Sequence, residues 1–139
     1  MKNLLILLTL ILSFSGVAQL RVVETQKDSV LWQATKLSSV PKIMVYTIDS
    51  VHVYTIFYKN AKYTQITDIE SIGTGELETT KQFYEICKQA HIEDKEFMIE
   101  MDGKNIYIQK SMGSVMIWTS TSYFYLTKKN IEDILAKLQ

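Results

Sequence analysis

The feature that most restricts the fold is a hydrophobic period that changes in the same order twice. Apolar residues alternate from Val30 into the Tyr58 region, then recur at threes and fours over Glu76–His91. Alternation returns between Phe97 and Leu126, and the chain closes on a helical stripe of Ile131, Ile134, Leu135 and Leu138. Period two places successive side chains on opposite faces of a strand, and period 3.6 gathers them on one side of a helix. The expected order is therefore strands, helix, strands, helix.

Turn chemistry sharpens this. Ile43–Ile48 and Val51–Tyr58 are β-branched and aromatic, with Asp49-Ser50 as the turn between them. The second run puts Val51, Val53, Thr55 and Phe57 on one face and His52, Tyr54, Ile56 and Tyr58 on the other. Both faces are apolar or amphipathic, which predicts a strand covered on both sides. Lys59–Lys62 reads as a turn into a strand over Tyr63–Ile69, and Ser71–Gly75 as a break in the sheet. In the first helix Thr80, Phe83, Cys87 and Ala90 form the stripe, and Thr79 with Gln82 three later has the capping-box pattern. Asp102-Gly103 is the strongest hairpin signal, because glycine tolerates the positive φ of a two-residue turn. Val115–Thr119, entered through Gly113-Ser114, and Tyr123–Leu126 complete the strands. Thr127 caps the last helix, where Asp133 and Lys137 make a favourable pair. The fold class is α+β: an antiparallel sheet of six to eight strands with two helices on a face, in a β-meander–α–β-meander–α order. Similar turn signals in the two halves raise a pseudo-duplicated layout as one reading.

The N-terminus carries a different message. Lys2 precedes an apolar run from Leu4 to Leu12 broken only by Thr9, and small residues follow at Gly16 and Ala18. That order is the pattern of a secretory signal peptide, with cleavage expected between Ala18 and Gln19. The apolar core is about half the 20 residues that span a bilayer, so no membrane span is expected after its removal. Residues 1–18 are thus assigned as signal peptide and 19–139 as a single α+β domain, exported to the periplasm or secreted. Gln19–Ser29 reads as a frayed arm or a first strand through Leu20–Val23. Exported domains of this size often rely on disulfides, yet Cys87 is the only cysteine. The fold must rest on its core, and Cys87 is expected inside it.

Composition removes several functions. Lys+Arg and Asp+Glu both number 15, for a net charge of zero, so there is no electrostatic footprint for nucleic acid. Gly73-Thr74-Gly75 lacks the spacing of a phosphate loop, and Glu76 and Glu78 would repel a phosphate there. Cys87 and His91 have a chelating spacing, but two ligands on one helix do not make a metal site. No Gly-x-Ser-x-Gly elbow accompanies His52 or His91. No catalytic set, metal site or cofactor is assigned.

Eight tyrosines and two tryptophans carry more information. Such residues fill sheet cores, and they also form surfaces that grip a partner. The candidate apolar binding surface comprises Tyr46, Tyr54, Tyr58, Trp118, Tyr123 and Tyr125. The leading expectation is an exported non-catalytic domain that binds a protein or another envelope component. One alternative is a carrier holding a small apolar ligand in a cavity between sheet and helices. Another is a small exported enzyme using His52, which requires that histidine in a cleft within reach of Asp49 or another carboxylate.

Overall fold

The computed structural model describes residues 28–35, 41–65 and 67–139. The leader, the Ala18–Gln19 junction and the Leu20–Val23 stretch lie outside the described residues. Within them the chain forms β1 (Ser29–Gln33), β2 (Lys42–Ile48), β3 (Val51–Lys59), β4 (Ile69–Gly75), α1 (Leu77–Glu93), β5 (Phe97–Met101), β6 (Lys104–Ser111), β7 (Ser114–Trp118), β8 (Tyr123–Thr127) and α2 (Lys128–Lys137). This is the expected α+β order of meander, helix, meander, helix. The eight strands form two four-stranded antiparallel sheets, β1-β2-β3-β4 and β5-β6-β7-β8.

The division has a local cause at the free edge of β4. The amide of Gly73 donates to Asp102 Oδ2 at 3.1 Å, and Lys104 Nζ donates to the carbonyl of Ser71 at 3.2 Å. Side chains at the β5–β6 turn thus occupy backbone groups that a seventh ladder, joining the two sheets, would need. A Cβ at position 73 would stand 3.5 Å from the Asp102 carboxyl, an ordinary contact, so the approach does not itself require glycine.

Three two-residue hairpins have positive φ at both central positions: Asp49-Ser50 (+48°, +68°), Asp102-Gly103 (+53°, +66°) and Met112-Gly113 (+49°, +82°). That twist matches the strands on either side. The Lys59–Ile69 region departs from the expectation. Residues 60–65 and 67–68 lie outside the strands, with the Asn60 N–H donating to the Asp68 carbonyl at 2.8 Å, and Ser71–Gly75 continues a strand instead of breaking one. Ile72 and Thr74 are its buried residues, and the Thr74 hydroxyl donates to the Tyr54 carbonyl at 3.2 Å.

Helix α1 begins at an N-cap Glu76 that makes no side-chain cap bond, so Thr79 and Gln82 form no capping box. The joint is fastened instead by Thr80, whose hydroxyl lies 3.0 Å from Thr74 Oγ1 and 3.2 Å from the Thr74 carbonyl. At α2 the expected cap is present, with Thr127 Oγ1 accepting from the Asn130 N–H at 3.1 Å. The ion pair on that helix is Lys128–Glu132 at 3.7 Å.

The inner faces of both sheets and both helices share one core. Ile43, Ile56 and Ile72 come from the first sheet, Ile106, Ile108, Val115, Ile117 and Leu126 from the second, and Phe83, Tyr84, Cys87, Ile131 and Ile134 from the helices. Helix α1 touches β3, β4, β6 and β7, while α2 touches α1, β1 and β8. Among the described residues each sheet is covered on its inner face only. Strand β3 therefore has one packed side, with Val53, Thr55 and Phe57 half-buried on the other. No helix among the described residues is long and apolar enough to cross a membrane.

Candidate functional site

Register decides what the outer face of the second sheet presents. Met98 pairs with Tyr107, Tyr107 with Trp118, and Trp118 with Tyr123. These positions alternate with the buried Ile106, Ile108, Ile117 and Phe124, so all four point outward. They form one apolar row across every strand of the sheet. A second row runs Gln109–Met116–Tyr125. Met98 is 64% exposed and Tyr125 44%, while Tyr107, Met116, Trp118 and Tyr123 are half-buried. Among the outward residues of β5–β8 only Glu100 is charged.

The rings brace one another. Tyr107 and Trp118 stack with centroids 5.2 Å apart at 17°, and Tyr123 meets Tyr125 edge-on at 5.8 Å. Such pairs contribute beyond their buried area and hold the side chains in fixed positions. Two open grooves border the β8 side. One of about 290 Å³ is lined by Lys62, Met116, Trp118, Tyr123 and the Thr119–Ser122 turn. The other, of about 450 Å³, is lined by Pro41, Lys59, Ala61, Tyr63, Thr64 and Tyr125 over a floor of Tyr58 and Phe124.

A polar clamp fixes this border to the first sheet. Asn60, 1% exposed, uses its whole side chain: Nδ2 donates to Asp68 Oδ2 (3.2 Å) and Glu70 Oε1 (3.1 Å), and Oδ1 accepts from the amides of Lys62 (3.1 Å) and Tyr123 (3.4 Å). The Ala61 N–H donates to the Tyr123 carbonyl at 2.8 Å. Ser122 Oγ donates to Glu70 Oε2 at 2.7 Å and lies 2.8 Å from the Tyr58 hydroxyl, whose ring stacks on Phe124 at 4.0 Å. Burial raises the Tyr58 phenol above its ordinary range against the Ser122 hydrogen bond, and the Glu70 carboxylate adds to the rise. A serine held against a carboxylate has the look of a nucleophile. This one is 3% exposed and also bonded to Thr119 Oγ1 at 3.1 Å, so its chemistry is that of a tie between β4 and β8.

The sequence-selected aromatics are dispersed. Trp118, Tyr123 and Tyr125 lie together on the outer face just described, Tyr46 is half-buried on the outer face of the first sheet opposite Val53, and Tyr54 and Tyr58 point into the core. His52 is exposed beside the Asp49-Ser50 turn, where Nδ1 lies 3.1 Å from Thr47 Oγ1. Cys87 is fully buried, and burial holds its thiol far above the usual range. His91 donates through Nε2 to the Gly113 carbonyl at 3.2 Å, tying α1 to the β6–β7 hairpin. The described residues contain no group of three or more His, Cys, Asp or Glu placed to hold a metal ion.

Sequence reasoning missed Met98, Tyr107, Met116 and Lys62. The signal for the first three was present. Once Asp102-Gly103 is taken as a two-residue turn, Met98 must face Tyr107, and a second such turn at Met112-Gly113 carries the row to Trp118. Compared with protein-family models, with curated proteins and with solved structures, the chain matches none of them.

Proposed function

We propose that the protein is an exported, non-catalytic binding domain whose working surface is the outer face of the second sheet. The observation that carries this reading is the continuous Met98–Tyr107–Trp118–Tyr123 row on a face with a single charge. Tyr, Trp and Met in a charge-poor patch are the composition of the buried centre of a protein–protein contact. Export rests on the leader, with residues 1–18 removed to leave Gln19 at the mature end. N-terminal sequencing of the exported protein tests that part.

Immobilised protein from the exported fraction should capture its partner, and Trp118→Ser should lose it at a temperature where circular dichroism shows the variant still folded. Retention of every captured species by Trp118→Ser and Tyr107→Ser would overturn the reading. One observation favours an apolar small ligand instead: the 450 Å³ groove falls in the range of ligand sites and has aromatic walls. A ligand there is blocked by Ala61→Trp and insensitive to Trp118→Ser, which separates the two readings.

A further inference from the structure

We propose that the outer face of the second sheet closes against a second copy of this chain, about a twofold axis parallel to the strands between β6 and β7. The inference rests on the binding reading above and names the partner for that face. It follows from where the few charges lie. Row by row, the β5 edge carries Glu100 on one side of Met98, and the same parity places Glu96 on the other. At the opposite edge, Lys62 stands beside Trp118 and Tyr123 and the Thr119–Ser122 turn, level with Glu100. Lys59 stands beside Tyr125, level with Glu96. None of these four is engaged in an ion pair among the described residues, where the pairs are Lys81–Glu78, Lys88–Glu85, Lys95–Glu93 and Lys128–Glu132.

A twofold axis along the strands keeps each row at its own level and exchanges the two edges. It lays β5 of one copy over β8 of the other. Glu100 then meets Lys62 and Glu96 meets Lys59, each pair twice, while Tyr107 crosses onto Trp118 at the centre. A twofold axis across the strands along the Met98 row would instead set β5 on β5 and Glu100 over Glu96. Self-complementarity in one orientation and repulsion in the other is what an isologous contact needs. Two sheet faces pack at about 10 Å with side chains interleaved. Four strands about 4.8 Å apart and five residues of about 3.3 Å give a footprint of roughly 300 Å². Stable dimers bury about 800 Å² per partner, so this pairing belongs to the weak class, with a Kd in the micromolar range or above.

Analytical ultracentrifugation of the exported protein over a wide concentration range is the test. Wild type should pass from monomer to dimer. Lys62→Glu and Glu100→Lys should each weaken the dimer by about tenfold, because each reversal creates two like-charge contacts. The double variant should return to within about threefold of wild type. A monomer at every concentration overturns the pairing, as does a dimer indifferent to both reversals or a double variant no better than the singles. If the protein is monomeric and Trp118→Ser still loses a captured partner, the pairing fails and the binding reading stands. If neither self-association nor capture responds to Trp118→Ser, both fail.

Discussion

Asn60→Asp should be among the most damaging conservative substitutions in this protein, and its damage should depend on pH. The amide is oriented by its surroundings: Nδ2 faces two carboxylates and Oδ1 faces two backbone N–H groups. A carboxylate of the same shape keeps the two bonds from Lys62 and Tyr123. It loses both donated bonds and stands within bonding distance of Asp68 and Glu70. Hydrogen bonds to charged groups contribute about 1.5–3 kcal/mol each, and the lower figure applies because both acids are half-exposed. Two lost bonds and the added repulsion come to about 3–4 kcal/mol at neutral pH, a large part of the 5–15 kcal/mol typical of a domain. Crowded carboxylates hold a proton more tightly when folded than when unfolded. The destabilisation is therefore fully present above their folded range and fades as pH falls toward the unfolded values. Asn60→Leu removes the two donated bonds and also the two that Oδ1 accepts, and it adds no charge, so its loss, about 3–5 kcal/mol, should change little with pH. Urea unfolding followed by tryptophan fluorescence and far-UV circular dichroism at pH 7.5 and pH 4 measures both, provided the m-values agree. An Asn60→Asp loss that does not shrink between pH 7.5 and pH 4, or an Asn60→Leu loss that shrinks as much, would refute the account of the clamp.

Three further outcomes follow from single side chains. The buried Cys87 thiol, held almost wholly protonated, should resist alkylation in the native protein and react at once in denaturant, as read by mass spectrometry. The Tyr84 hydroxyl is buried without a hydrogen-bond partner, so Tyr84→Phe should be neutral or stabilising by up to about 1 kcal/mol in urea unfolding. Burial, with Cys87 adding to it, holds that phenol well above its usual range, so wild type loses stability as pH rises beyond the ordinary tyrosine value and Tyr84→Phe should lose less. Met112 is fully exposed at a turn position with φ of +49°, and Met112→Asn should raise the melting temperature by an amount worth about 0.5–1 kcal/mol.

The parts of the fold that sequence revealed are those decided within a few residues. Asp49-Ser50 and Asp102-Gly103 make their turns locally, the Phe83–Cys87–Ala90 stripe is a local period, and Thr127 caps the helix it precedes. What stayed hidden depends on partners far along the chain. Ser71–Gly75 looks like a break because glycine is poor in strands. It is a strand because it pairs with β3, Thr55 opposite Gly73, and sends Ile72 and Thr74 into the core. Asn60 looks like an ordinary turn residue, and its role appears only when Tyr123 and Glu70 converge on it. The candidate surface was half legible for the same reason. Aromatic content gave Trp118, Tyr123 and Tyr125, but separating them from Tyr54 and Tyr58 required knowing which parity faces the helices.

Aromatic residues on a strand do not by themselves argue for binding, since Tyr and Trp favour strands wherever the sheet is half-buried. The stronger point is what the outer face lacks. An antiparallel sheet with one solvated side ordinarily alternates apolar-in and polar-out, and charged residues there keep sheets from associating. The inner parity of β6 keeps lysines at both ends, Lys104 and Lys110, while its outer parity of Asn105, Tyr107, Gln109 and Ser111 has none. Folding gains nothing from that omission. Gln109, beside Met116 and one row from Trp118, separates the two explanations. If the face serves only the fold, Gln109→Lys places a charge on half-exposed sheet and changes stability by less than about 0.5 kcal/mol, with no other consequence. If the face is a contact, the same lysine is left unpaired at its centre and should weaken association or capture by about tenfold or more while the melting temperature holds. A variant that binds as wild type does would assign the charge-poor face to the fold alone.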